Sequence, residues 1–384
     1  MMTKNIPATD AGTKPHYNIL DGLRGVAAFM VLIYHVFEGF ATSPVDQRCN
    51  HGYLAVHFFF ILSGFVIGYA YEDRWTKMSI GEFFKRRLIR LHPMVVIGVA
   101  LGVIAFFIQG GVQWDGTPIP ASSVMLAMLC TLFMIPAVPG TRVEIRGNGE
   151  LFPLNGPYWS LFVEYIGNIA YALFLHRLSN RALAAFIALT GAGIAWYAIG
   201  NGSGYGHLGV GWTMGDHYLA AGLLCMAFCF SIGLFMARTF KPVAIRGAFW
   251  LCSLGIIILV SVPHVGTVEN AWMNGIYDTL CVLVFFPLLV WLGASGKTTD
   301  KKSTAICKFC GDVSYPVYVI HYPSMYLFYA WVWNNGLTFG ETWYVGLGLI
   351  AGNILLAYFF LKIYDEPVRR WLSKKFLTKK PETT

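Results

Sequence analysis

Charge is scarce in this chain. Only 12% of its 384 residues are Asp, Glu, Lys or Arg, about half the share of an ordinary soluble domain, which excludes a conventional soluble globular fold. Sites with recognisable local patterns are missing as well. There is no P-loop, HExxH, GxSxG or nucleotide-binding glycine pattern, so the corresponding nucleotidase, metalloprotease, hydrolase and dinucleotide chemistries have no support. The eight cysteines are scattered, mostly inside apolar runs where they read as small buried hydrophobes. Cys307-Lys-Phe-Cys310 has CxxC spacing but no second pair or histidine beside it, so neither a disulfide framework nor a metal is expected. Met1 to Lys14 is polar and has no apolar core, so no cleavable secretion signal is expected and the first apolar run reads as an uncleaved anchor. No internal repeat with matched interrupted helices is visible, the pattern that often marks a secondary transporter.

Apolar residues are abundant, at 56% of the chain. They form eleven segments, at 22–40, 53–71, 91–109, 121–138, 157–175, 182–200, 217–237, 247–264, 274–293, 312–335 and 342–363, most of them near the roughly 20 residues that cross a bilayer. Lys and Arg cluster in 72–90, 176–181, 238–246, 294–308 and after 364, whereas 201–216, 264–273 and 336–341 contain none. If 121–138 crossed fully, every later basic cluster would face outward, against the positive-inside rule. The charge pattern therefore predicts an all-α polytopic membrane protein of about ten transmembrane helices, with both termini cytoplasmic. In that reading 121–138 is a re-entrant or interfacial segment in a long outer excursion over 110–156, an eleventh crossing being the alternative. The whole of 1–384 reads as one membrane domain, with 1–21 as a cytoplasmic N-terminal segment and 366–384 as a basic cytoplasmic tail on the lipid surface. The formal charge of +8 sits in inner loops with no aromatic-basic platform, which argues against a nucleic-acid partner and for membrane lipids.

Ionisable residues inside membrane segments are costly and are functional candidates by default. Arg24 and His35 lie eleven positions apart in the first segment. At about 100° and 1.5 Å per residue they fall within roughly 20° of one helix face and about 16 Å apart. One face thus carries a cation near the inner surface and an acid/base group in the outer half of the membrane. Arg86, Arg87 and Arg90 cluster at the inner end of the third segment, and arginines grouped at a membrane entrance suit phosphates, which they hold bidentately. Histidine is the residue type whose unperturbed pKa lies near neutrality, so as a catalyst His35 can take a proton from a hydroxyl and return it. Glu164 lies seven residues into a segment entered from outside, about 10 Å deep, and is expected near the level of His35 as its partner or counter-charge. Tyr34, Ser63, Asn155, Trp159, Tyr315, Tyr318 and His321 are substrate or tunnel candidates, with interhelical packing the plainer role for Asn155, Trp159, Tyr315 and Tyr318. Pro316 and Pro323 flank His321, which predicts a kinked or opened helix there. At the outer surface, Asp216, His217 and His207 are further acceptor candidates. Gly22, Gly25, Gly64 and Gly68 predict close backbone approach around the first two spans.

Several stretches together carry a family resemblance. These are Leu20-Asp-Gly-Leu-Arg-Gly25 followed by Tyr34-His35, Phe58-Phe-Phe-Ile-Leu-Ser-Gly-Phe65, Arg86-Arg-Leu-Ile-Arg90 with Pro93, Tyr158-Trp-Ser-Leu-Phe-Val-Glu164, and Ser314 to Pro323. In this order and spacing the chain resembles the integral-membrane acyltransferase-3 family of bacterial O-acyltransferases, in a short form without a soluble extracytoplasmic domain. The resemblance implies about ten membrane helices and a cytoplasmic acyl-CoA donor, with acetyl as the usual group. It also implies transfer to a hydroxyl of a glycan, glycolipid or glycoside at the far side of a bacterial inner membrane. On that implication Arg24, Arg87 and Arg90 meet the CoA phosphates and His35 is the general base. Glu164-Tyr165 stands where many relatives have two acids, which puts a role needing both carboxylates in doubt. Envelope-glycan assembly proteins are possible partners, since a relay through a soluble domain would need another chain. Two other classes stay open: a proton-coupled transporter of an anionic or sugar-like solute, and a non-catalytic membrane scaffold.

Overall fold

The computed structural model describes residues 16–243, 245–298 and 300–377; the predicted N-terminal segment before residue 16 and the predicted tail beyond residue 377 lie outside the described residues. In chain order the α-helices are α1 (Asn18–Glu38), α2 (Ala55–Tyr71), α3 (Ile80–Ile108), α4 (Ala121–Leu132), α5 (Tyr158–Leu173), α6 (Asn180–Ile199) and α7 (Tyr218–Thr239). They continue with α8 (Ala248–Ser261), α9 (Trp272–Leu280), α10 (Phe286–Ser295), α11 (Lys301–Ile320), α12 (Tyr322–Asn335), α13 (Phe339–Phe360) and α14 (Glu366–Phe376). Among the described residues there is no β-sheet, only three isolated bridges. Among the described residues seven helical stretches are long and apolar enough to cross a bilayer: Asn18–Glu38, Asn50–Arg74, Ile80–Ile108, Asn180–Ile199, Gly215–Thr239, Trp272–Ser295 and Phe339–Phe376. The protein is an all-α polytopic integral membrane protein.

Every apolar segment read from the sequence contains a helix, yet not all have the length of a simple crossing. α5 has 16 residues and α8 has 14. The 312–335 segment is divided between α11 and α12 at His321, with Pro316 inside α11 and Pro323 in the first turn of α12. A proline removes one backbone donor and crowds the preceding turn, so a helix pair meeting at an angle is the expected result. α4 has 12 residues, about 18 Å at 1.5 Å per residue, against a hydrocarbon core of about 30 Å. Beyond it the chain turns at Met134 (φ 55°) and runs back along the helix. The Ile135 amide donates to Cys130 O at 2.8 Å, and Arg142 Nη2 donates to Ser122 Oγ at 3.2 Å.

Small residues set the tightest contacts. A side chain at Gly25 would overlap the Cys310 main chain, and one at Gly64 would overlap the Phe230 main chain. The close approach predicted around the first two spans is made by α1 on α11 and by α2 on α7. Cys307 and Cys310 pack on Gly22 and Gly25 of α1, and both thiols are free. Backbone-to-backbone packing of this kind supplies dispersion contacts where lipid offers no hydrophobic driving force between helices. It also fixes α1 rigidly against the α11–α12 corner, the two elements that carry the candidate site.

Candidate active site

Two cavities lie along α1. The inner one, of 90 Å³, is lined by Arg24, Arg87, Arg90, Ser63, Glu164 and Tyr315 among others. The outer one, of 460 Å³, opens beside Thr42, Ser43 and Trp333 and contains His35 and Glu38. Val56 and Tyr318 line both, so they form the partition between them. The helical face predicted to join Arg24 to His35 thus connects a cationic chamber with an aromatic one.

In the inner chamber Arg87, from α3, is buried and its Nη2 donates to Glu164 Oε1 at 2.8 Å; the Ser63 hydroxyl donates to the same oxygen at 2.9 Å. Arg24 Nη1 donates to Asp21 Oδ1 at 2.8 Å, one helical turn away. Arg90 lines the chamber and has no carboxylate within hydrogen-bonding reach among the described residues. Arg86 does not line the chamber. Three guanidiniums against two carboxylates leave a net positive chamber, a charge balance that fits a polyanion such as a nucleotide phosphate.

In the outer chamber His35 Nδ1 donates to Glu38 Oε2 at 2.7 Å, and the Tyr329 hydroxyl stands 2.7 Å from both Glu38 Oε2 and His35 O. A carboxylate is an acceptor only, so this bond places the proton on Nδ1 and makes Nε2 the basic nitrogen of the neutral ring. His321 and Tyr322 pack on His35, with ring centroids 5.3 Å and 4.8 Å away. His321 is buried, and its Nδ1 is held by the Val317 and Tyr318 carbonyls at 3.1 Å and 2.9 Å. Tyr34 and Trp159 line the outer chamber. Tyr318 bonds Ser160 Oγ at 2.5 Å, and Tyr315 donates to Leu91 O at 2.5 Å. Asn155 does not reach either chamber; it is fully buried and donates to Val319 O at 2.8 Å, tying the outer loop to α11. His207 lines the outer chamber, whereas Asp216 and His217 are exposed outside it.

Glu164 does not stand beside His35 as the depth count predicted; it belongs to the inner chamber with Arg87. The reason is the outer loop. Residues 150–158 are all buried, so α5 begins beneath the protein's own surface, and a count that starts at that surface misplaces its residues. That loop is held down by Arg146, a fully buried guanidinium whose Nε donates to Pro153 O at 2.8 Å and which also bonds Gln109. Its charge lies 3.6 Å from the centre of the Tyr326 ring, a cation–π contact, and the Tyr326 hydroxyl bonds Glu150 and accepts from the Gly156 amide at 3.0 Å. Burial pushes the Glu150 carboxyl above its ordinary range, and the nearby Arg146 charge opposes this. The opposite wall is fixed by Asp278, which accepts from the Tyr53 hydroxyl at 3.0 Å and the Leu208 amide at 2.7 Å.

The acyltransferase-3 model, described as an acyltransferase domain, matches residues 17–362, a span that contains both chambers. The chain belongs to the acyltransferase-3 family. Over 181 residues this family member is 35% identical to Protein 2 in picA locus of Rhizobium radiobacter, covering 45% of the chain and 89% of that relative. Acyltransferase MdmB of Streptomyces mycarofaciens is 29% identical over 188 residues, 46% of the chain and 43% of MdmB. O-acetyltransferase OatA of Staphylococcus aureus is 35% identical over 100 residues, 25% of the chain and 15% of OatA. The match therefore spans less than half of MdmB and a small part of OatA. No solved structure matches this family member.

Glu38, Tyr329 and the wall around Glu150 escaped the reading of the sequence. The first two had signals. Glu38 follows His35 by three positions, which places it on the same helix face. Tyr322, Tyr326 and Tyr329 recur at the four- and three-residue spacing of one face of α12. Arg146 and Glu150 sit in a polar loop whose burial only the folded chain reveals.

Proposed function

We propose that the protein transfers an acyl group, most simply acetyl, from a cytoplasmic acyl-CoA to a hydroxyl of a glycan, glycolipid or glycoside at the extracytoplasmic side. The observation that carries this reading is the pair of chambers meeting at Val56 and Tyr318, arginines on one side and the His35–Glu38 pair on the other. Arg24, Arg87 and Arg90 would hold the CoA phosphates, and the long, less polar pantetheine arm would pass the partition to bring the thioester to His35. The acceptor would enter the outer chamber. His35 Nε2 would take the hydroxyl proton as the oxygen attacks the thioester carbonyl; the C–S bond then breaks, an ester forms, and the proton passes to the departing thiolate. Glu38 would orient the imidazole and balance the positive charge it gains, the role an acid plays behind a histidine base. Glu164 would act on the donor side, setting the position of Arg87.

The same reading gives the membrane layout. The short α4, its return strand and the buried 150–158 loop form a re-entrant outer element, and the remaining segments make ten crossings with both ends in the cytoplasm. A bacterial inner membrane is the location that joins acyl-CoA to surface glycans.

The test is acetyl-CoA turnover by the protein in nanodiscs, following free thiol with and without an outer-surface glycan extract. Glycan-stimulated release that vanishes in His35→Ala, with weaker CoA use in Arg24→Ala, is expected. Solute flux in sealed vesicles with no thiol release would replace this reading by transport.

A further inference from the structure

The outer chamber has a charge pattern that the inner one lacks. At 460 Å³ it falls in the range of about 300–1,000 Å³ typical of small-molecule sites. Trp114, Trp159, Trp212 and Trp333 line it together with several tyrosines, giving flat apolar faces edged by hydroxyls and ring N–H groups. Among the described residues its ionisable lining beyond the tyrosines consists of His35, Glu38, Glu150 and His207, with no Lys or Arg. Asp46 adds a further acid at the rim, anchored by the Thr42 and Ser43 amides and hydroxyls at 2.7–3.1 Å. Among the described residues Arg48 stands exposed in the rim loop beside Gln47, but it does not line the chamber and lies over the Phe339 ring at 5.9 Å; the guanidinium behind the wall, that of Arg146, is sealed off. It is fully buried behind Tyr326, Trp114 and Phe106, and Glu150 lies on the chamber side of it. His207 cannot serve as a cation while its Nδ1 accepts from the Gly209 amide at 3.0 Å.

We propose that this chamber selects an acceptor without negative charge: a neutral glycoside binds, and glycosides bearing a carboxylate, phosphate or sulfate are excluded. The inference rests on the reading that the outer chamber is the acceptor site. An anion there would lie beside the Glu38 and Glu150 carboxyls, in an aromatic surround that screens poorly, with no guanidinium or ammonium among the described lining residues to pair with. Unpaired buried charge and like-charge juxtaposition both count against it. A neutral sugar meets no such penalty, since carboxylates, tyrosine hydroxyls and indole N–H groups can all bond its hydroxyls. The contrast with the inner chamber is the point: among the described residues three arginines line the donor's chamber and none lines the acceptor's.

The experiment is equilibrium dialysis of nanodisc-embedded protein against methyl glycosides in matched pairs: glucoside and glucuronide, galactoside and galacturonide, mannoside and mannuronide. Each pair differs only in a hydroxymethyl or carboxylate group. The neutral member of any pair that binds should bind at least tenfold more tightly than its acid. Asn148→Lys places a cation on an exposed rim position whose side chain already donates to Glu150 at 2.8 Å, and it should reduce that ratio several-fold. Acids binding as tightly as their neutral partners, a ratio unmoved by Asn148→Lys, or binding of no glycoside overturns the proposal. Thioester turnover measured on the same preparation keeps the two readings apart. Charge discrimination without turnover removes the transferase reading and leaves the chamber's selectivity standing; turnover without discrimination does the reverse.

Discussion

Glu38→Gln isolates the charge behind His35 while keeping size and an acceptor oxygen. The two side chains meet at 2.7 Å, so when the imidazole is protonated the charge centres are about 4 Å apart, worth about 4 kcal/mol at an effective dielectric of 20. Glu38 is 34% exposed and His35 is 14% exposed, so solvent screens part of this; about half remains, ~2 kcal/mol. That fraction corresponds to about a 30-fold fall in kcat. Removal of the base itself, in His35→Ala, is expected to cost about 10²–10⁴-fold, so Glu38→Gln should lie between it and wild type. Tyr329→Phe removes one hydrogen bond from Glu38, about 0.5–1.5 kcal/mol, and should fall below Glu38→Gln in effect. The assay is thiol release at saturating acetyl-CoA with acceptor varied, on preparations matched for folded protein. Wild-type kcat in Glu38→Gln, or a loss confined to the KM for the donor, would refute the assignment of Glu38 to the acid–base step.

Three further outcomes follow from the geometry. Glu164→Gln leaves the buried Arg87 guanidinium without its carboxylate; breaking such a pair costs about 3–5 kcal/mol, so the melting temperature should drop and the KM for acetyl-CoA rise. Arg87→Met with Glu164→Met should recover the melting temperature but not the KM. Gly25→Ala puts a methyl group into the Cys310 main chain, an overpacking worth about 1–3 kcal/mol, to be read as a lower midpoint in detergent unfolding. His207, in the outer loop, is held down to about 4 by burial, with the charges of His264 and His51 acting in the same direction. A depressed base is neutral in the fold and must charge in acid, so its contribution is present above about 6.5 and is lost as pH falls toward 4. Amide exchange at Gly209, whose N–H donates to the neutral ring, should accelerate over that window, and His207→Gln should flatten the response.

Much of the site was legible because one helix carries it. The eleven-residue interval between Arg24 and His35 is a property of helical periodicity, and it survives whatever packs around α1. The prolines around His321 likewise foretold the break between α11 and α12, since a missing N–H and a ring clash act locally. Glu38 was legible on the same grounds, three positions from His35, but a carboxylate at a helix end reads equally well as a surface charge. Depth was the quantity that counting could not supply. Glu164 was placed by assuming that α5 starts at the membrane surface, and the buried 150–158 loop moves that start inward.

The sequence by itself determined the class of protein, the helical segments, the cation and imidazole on one face, and the family. All of these follow from composition, period and local pattern. Tertiary structure decided which acid serves which partner: Glu38 with His35, Glu164 with Arg87. It also decided that Arg90 faces the inner chamber while Arg86 does not, and that Arg146 is sealed away from the outer one. Those pairings join residues up to 77 positions apart, and their distances are set by how helices and a buried loop pack. The chain's local preferences are silent about that, because a charge finds its partner only after the backbone has carried both to one place.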